Sequence, residues 1–63
     1  MTAYEVRVRG VVPTLLAGQL ADQHIGYETV LTGDVATPDD LYDLIDRLYT
    51  LGLDLLEVRE LPA

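Results

Sequence analysis

Apolar and charged residues alternate from Tyr4 to Arg9, with Tyr4, Val6 and Val8 on one side and Glu5, Arg7 and Arg9 on the other. A period of two predicts a strand with one buried face. Gly10 ends it. Val12, Leu15, Leu16 and Leu20 then recur at helical spacing behind Pro13, a residue suited to a first helical turn because its missing N–H leaves no bond unmade there. This predicts a short helix ending near Ala21. Asp22 to Ile25 reads as a short edge strand, and Gly26-Tyr27 as a two-residue hairpin loop with glycine first, the type II′ preference. Glu28 to Thr32 follows as a third strand, with Thr29 and Leu31 inward and Val30 outward.

The second helix has the fullest set of signals. Thr37 can cap it, Pro38 fits its first position, and Asp39 and Asp40 complement the positive end of the helix dipole. Leu41, Leu44, Ile45, Leu48 and Leu51 form the predicted buried stripe, and Gly52 the left-handed stop. Leu53 to Leu61 reads as the last strand, with Leu56 and Val58 inward and Leu55, Glu57 and Arg59 outward.

The pattern is said twice. Val8-Arg9-Gly10-Val11-Val12-Pro13-Thr14-Leu15 runs strand, glycine, valine, proline, leucine, and Leu31 to Leu41 repeats that grammar around Gly33, Val35 and Pro38. Two halves of this kind, each closed by a further strand, predict an α+β fold over residues 1–63. Its form is a ferredoxin-like βαββαβ two-layer sandwich, with an antiparallel sheet of order 4-1-3-2 and a short second strand.

That order places strands one and four side by side. A register setting Arg7 opposite Glu57 also sets Glu5 opposite Arg59, so both cross-strand pairs join opposite charges. Exposed pairs contribute about 0–1 kcal/mol each, so they fix register more than stability. The sheet's outer face, with Arg7, Arg9, Val30, Leu55, Glu57 and Arg59, is therefore a candidate contact surface. Tyr42 and Tyr49 flank the leucine stripe of the second helix and form a second candidate, since tyrosines favour interfaces.

Composition narrows the function classes. The chain has 63 residues, 49% of them hydrophobic, and no cysteine. A core of this size yields only about 3–5 kcal/mol of net stability, which makes self-association useful. Disulfides and thiolate metal sites are excluded. A net charge of −7 opposes binding to nucleic acid and to anionic membranes. The alternating start is unlike a signal peptide, and no apolar run reaches the length of a membrane span, so a cytoplasmic protein is expected.

Candidate chemistry is sparse. His24 is the single histidine, and with Asp22 and Glu28 near it in sequence it reads as an edge-exposed structural residue rather than a metal ligand. Asp39, Asp43 and Asp46 share a helix face but lack the carbonyls and glycine of a calcium loop, so they read as a solvated acidic face. No nucleophile–base–orienter set and no glycine-rich phosphate loop is present. The expectation is no enzyme and no cofactor.

Across nearly its whole length, the chain resembles a family of small uncharacterised bacterial proteins common in actinobacteria. The resemblance rests on Tyr4-Glu5-Val6-Arg7-Val8-Arg9-Gly10, on Glu28 to Val35, and on Leu51-Gly52-Leu53 through Arg59. It implies a fold and no activity. Other βαββαβ families fit less well: acylphosphatases need an asparagine, which this chain lacks, and RNA-recognition motifs need outward aromatics where Glu5, Arg7, Arg9 and Val30 stand. The expected function is a protein-interaction or accessory module, partnered by itself or another protein. The alternative is an ACT-like small-molecule sensor, whose ligand would sit near Gly10–Val12 or Gly33–Val35.

Overall fold

Among the described residues, four segments form strands and one amphipathic segment forms a helix. The computed structural model describes residues 2–13 and 20–62. Its elements are β1 (Thr2–Arg9), β2 (Ala21–Ile25), β3 (Glu28–Val35), α1 (Pro38–Thr50) and β4 (Asp54–Glu60). The expected first helix, from Pro13 to near Ala21, lies mostly on residues 14–19, outside those described, and Ala21, expected at its end, opens β2 instead.

The sheet is antiparallel throughout, in the order β2-β3-β1-β4, which read from its other edge is β4-β1-β3-β2. β1 is central, with β3 and β4 as its neighbours. The β2–β3 hairpin closes on the pair Ile25 and Glu28. Gly26 in its loop has φ +62, while no residue other than glycine takes a positive φ among those described. That combination is the type II′ turn the glycine-first order predicts.

α1 begins as its capping residues require. Thr37 is extended and its side-chain oxygen accepts from the Asp40 N–H at 3.3 Å, with Pro38 in the first turn. Leu51 caps the C-terminus, and Gly52 takes the left-handed φ of +76. Leu41, Leu44 and Leu48 are buried against Val6, Val8, Val12, Leu31 and Val35, with Ile45 partly buried beside them. Leu51 departs from the predicted stripe: as the capping residue it lies past the last helical turn and is exposed.

Two strand expectations are corrected. Gly33 does not break β3, which continues to Val35 with Gly33 opposite Tyr4. Its missing Cβ serves packing: a Cβ there would stand 2.6 Å from Leu20 Cδ2 and 3.3 Å from the Leu20 backbone. In β4 the inward set shifts at a β-bulge. Val6 faces Val58 and Arg7 faces Glu57, but Val8 faces Leu55, leaving Leu56 as the extra residue. Leu55, predicted outward, therefore packs against the core, and Leu56, predicted inward, is exposed.

Candidate interaction surface

The open face of the sheet is built from cross-strand rows. One row runs Gln23, Val30, Arg7 and Glu57; the next runs Ile25, Glu28, Arg9 and Asp54; a third runs Ala21, Thr32, Glu5 and Arg59. The face thus gathers five of the predicted contact residues: Arg7, Arg9, Val30, Glu57 and Arg59. Leu55 is absent from it because of the bulge. Val30 points outward as predicted, yet only 5% of it is exposed, since it sits on an inner strand between Arg7 and Gln23.

Glu5 and Arg59 are register partners and form an ion pair at 3.1 Å. Arg7 is opposite Glu57 in register, but its guanidinium reaches Glu28 instead, at 3.6 Å. Arg59 also approaches Glu57 of its own strand at 3.9 Å. Arg7 Nε is buried without a hydrogen-bond partner, which marks how closely this side chain lies along the sheet.

Tyr42 and Tyr49, the second candidate surface, are 62% and 59% exposed. Val58, opposite the buried Val6 and so on the helix side of the sheet, is 37% exposed, and Leu56 is 41% exposed. Alternation alone does not mark these two β4 residues as surface. The bulge exposes Leu56, and adjacent Leu55 and Leu56 read equally well in either phase; Val58 keeps its predicted phase and is exposed because β4 is an edge strand.

A polar cluster lies on the same helix side of the sheet, at its β2 edge. Thr29, fully buried, donates its hydroxyl hydrogen to the Gly10 carbonyl at 2.6 Å. His24 Nδ1 lies 3.0 Å from the same Thr29 oxygen, and His24 Nε2 lies 3.6 Å from Asp22 Oδ2. A hydroxyl has one hydrogen, and here Gly10 receives it, so Nδ1 is the donor toward Thr29. The Gly10 N–H in turn donates to the Tyr27 carbonyl at 2.7 Å. Carboxylate, imidazole and hydroxyl stand in the sequence of a catalytic relay, but the hydroxyl is enclosed and committed to a backbone carbonyl. What the cluster does is tie the hairpin to the end of β1. Hairpin arithmetic makes it legible: a two-residue loop at Gly26-Tyr27 sets His24 opposite Thr29.

At both glycines of the loops considered for an ACT-like ligand, the missing Cβ leaves room for a neighbouring leucine. Leu20 fills it at Gly33, and at Gly10, with φ +116, a Cβ would stand 2.7 Å from Leu53 Cδ2. Among the described residues no three His, Asp or Glu side chains converge as a metal site requires, and no helix is long and apolar enough to cross a membrane.

A family model for a domain of unknown function matches residues 3–59, which takes in nearly all of β1 and β4 and the whole of β2, β3 and α1. The chain belongs to the DUF8691 family. No curated protein and no solved structure matches it. The DUF8691 match and the fold agree in extent: the matched span begins in β1 and ends in β4.

Proposed function

We propose that this DUF8691 domain is a non-enzymatic interaction or accessory module of the bacterial cytoplasm that acts by self-association through a sheet edge. Its architecture in this reading is the ferredoxin-like βαββαβ sandwich, with the first helix between β1 and β2. Strands β1 and β2 run parallel with β3 between them, as do β3 and β4 with β1 between them, a strand order that supports this reading. The arginine-only set of cations suits the GC-rich actinobacterial setting that the sequence resemblance implies.

The observation that carries the reading is the β4 edge. Among the described residues no strand lies beside its outer backbone groups, and apolar Leu56 and Val58 are exposed along it. An unpaired edge with apolar side chains is a template for another strand. The small core supplies the thermodynamic reason, since association adds buried area that 63 residues cannot provide alone. The net charge of −7 acts against this and away from nucleic acid and anionic lipid, so the favoured partner is a protein surface.

Sedimentation of the full chain from micromolar to millimolar concentration tests the proposal. A concentration-dependent rise in mass is expected. A chain that stays monomeric throughout, remains stably folded and retains no protein partner in pull-downs would overturn it. The ACT-like reading ranks second, and a thermal-shift screen of amino acids and nucleotides that raised the stability of the chain would favour it.

A further inference from the structure

Resting on the self-association reading above, we infer that two copies of the chain pair β4 against β4, antiparallel, about a two-fold axis through Val58. The two sheets then continue as one of eight strands.

Backbone phase gives the first argument. The Leu61 N–H donates to the Ala3 carbonyl at 2.8 Å, extending the ladder in which Tyr4 faces Glu60. Alternation along the strand then turns Arg59 toward β1 and leaves the N–H and C=O of Val58 and Glu60 facing outward. In an antiparallel pair centred on Val58, the two copies of Val58 exchange both of those bonds. Glu60 meets Leu56 of the other copy and uses its own outward groups.

Charge gives the second. A two-fold antiparallel pair must be centred on a residue, and the β4 sequence Asp54-Leu55-Leu56-Glu57-Val58-Arg59-Glu60 discriminates among centres. Centring on Glu57 sets that carboxylate against its own copy and Asp54 against Glu60. Centring on Arg59 sets guanidinium against guanidinium. Centring on Leu56 joins Glu57 to Leu55 and Val58 to Asp54. Only the Val58 centre joins Glu57 to Arg59 of the other copy, twice, with no like charges opposed. These positions are non-hydrogen-bonded pairs, in which facing side chains are closest. Arg59 already lies 3.9 Å from its own Glu57, so the exchange needs little rearrangement.

The helix gives the third. β3 and β4 are parallel, and about 98% of such crossovers are right-handed. With that hand, steps of about 100° per residue carry Tyr42 and Tyr49 from the Leu41–Leu48 stripe toward the β4 side. Val58 lies on this same helix side of the sheet. Pairing across the axis therefore covers Val58 with its copy and brings the exposed tyrosine flanks of both helices together, which accounts for three exposed residues with one contact.

Two experiments on the full chain test the register. The chain has no cysteine, so Val58→Cys and Glu60→Cys each introduce a single thiol. Under mild oxidation the Val58→Cys variant is expected to form a covalent dimer. The Glu60→Cys variant should not, because the two copies of position 60 are four residues out of register, about 13 Å apart along the strands. Separately, Glu57→Arg and Arg59→Glu should each weaken the dimer at least tenfold in sedimentation, with unchanged far-ultraviolet circular dichroism. Mixed together, the two charge variants should regain it, since each then faces its opposite charge. A dimer that links through the Glu60→Cys thiol as readily as through the Val58→Cys thiol, or charge variants that fail to recover on mixing, would overturn the Val58 register and leave self-association standing. A wild-type chain that is monomeric throughout overturns both.

Discussion

The two edges of this sheet are finished in different ways. At the β2 edge, the strand has five residues and Thr29 binds both His24 and the Gly10 carbonyl, fastening the hairpin to the end of β1. Polar Asp22 and His24 line its helix side. At the β4 edge, the strand is longer, a bulge displaces Leu56, and Val58 lies exposed beside a helix whose tyrosine flank is bare. Short length and polar residues are the means by which a protein ends a sheet. The β4 edge uses a bulge and charges, but its charges are arranged to complement themselves. Both strands are edges of the sheet; β2 is short and polar on its helix side, while β4 is longer and leaves Leu56 and Val58 exposed, which is the edge the proposed pairing uses.

Substitutions separate the two. The largest effect is expected from Gly10→Ala, which forces a side chain onto a φ of +116 and into Leu53. Strain and overpacking together should cost about 3 kcal/mol in urea unfolding and loosen the hairpin. Thr29→Val keeps the shape but strands the Gly10 carbonyl and removes the His24 contact, for an expected loss of about 1–3 kcal/mol. His24→Ala leaves the Thr29–Gly10 bond in place, so about 1 kcal/mol or less is expected. None of these three should shift the sedimentation mass at concentrations where the variant is folded. Arg59→Gln is the reverse case. It removes a pair with the largely covered Glu5, worth about 1 kcal/mol to the fold, yet should weaken the dimer severalfold. A Thr29→Val variant that abolished dimerisation while folded, or an Arg59→Gln variant that dimerised as wild type, would erase the distinction between the edges.

Much of the framework can be read from residue order because local signals agree with one another. Thr37-Pro38-Asp39-Asp40 and Gly52 bound the helix at both ends, and the alternation from Tyr4 fixes which side of β1 is buried. The pairing of Glu5 with Arg59 and Arg7 with Glu57 follows from charge and alternation together. Three features were less accessible. The bulge at Leu56 is invisible because two adjacent leucines satisfy either phase of the strand. Gly33 resembles a strand terminator, and only the approach of Leu20 shows that it is there to admit a neighbour. Arg7 reaches Glu28 rather than Glu57 because a long side chain can choose a diagonal neighbour over the one directly opposite.

Amide hydrogen exchange, read residue by residue at increasing protein concentration, tests the contrast most directly. The amides of Val58 and Glu60 face outward from β4. Those of Asp22 and His24 face outward from β2, given that Ile25 and Glu28 close the hairpin. Protection at Val58 and Glu60 that grows with concentration, while Asp22 and His24 continue to exchange rapidly, is the expected result. Rapid exchange at Val58 and Glu60 at every concentration, indistinguishable from that at Asp22 and His24, would contradict the pairing of β4 with a second copy.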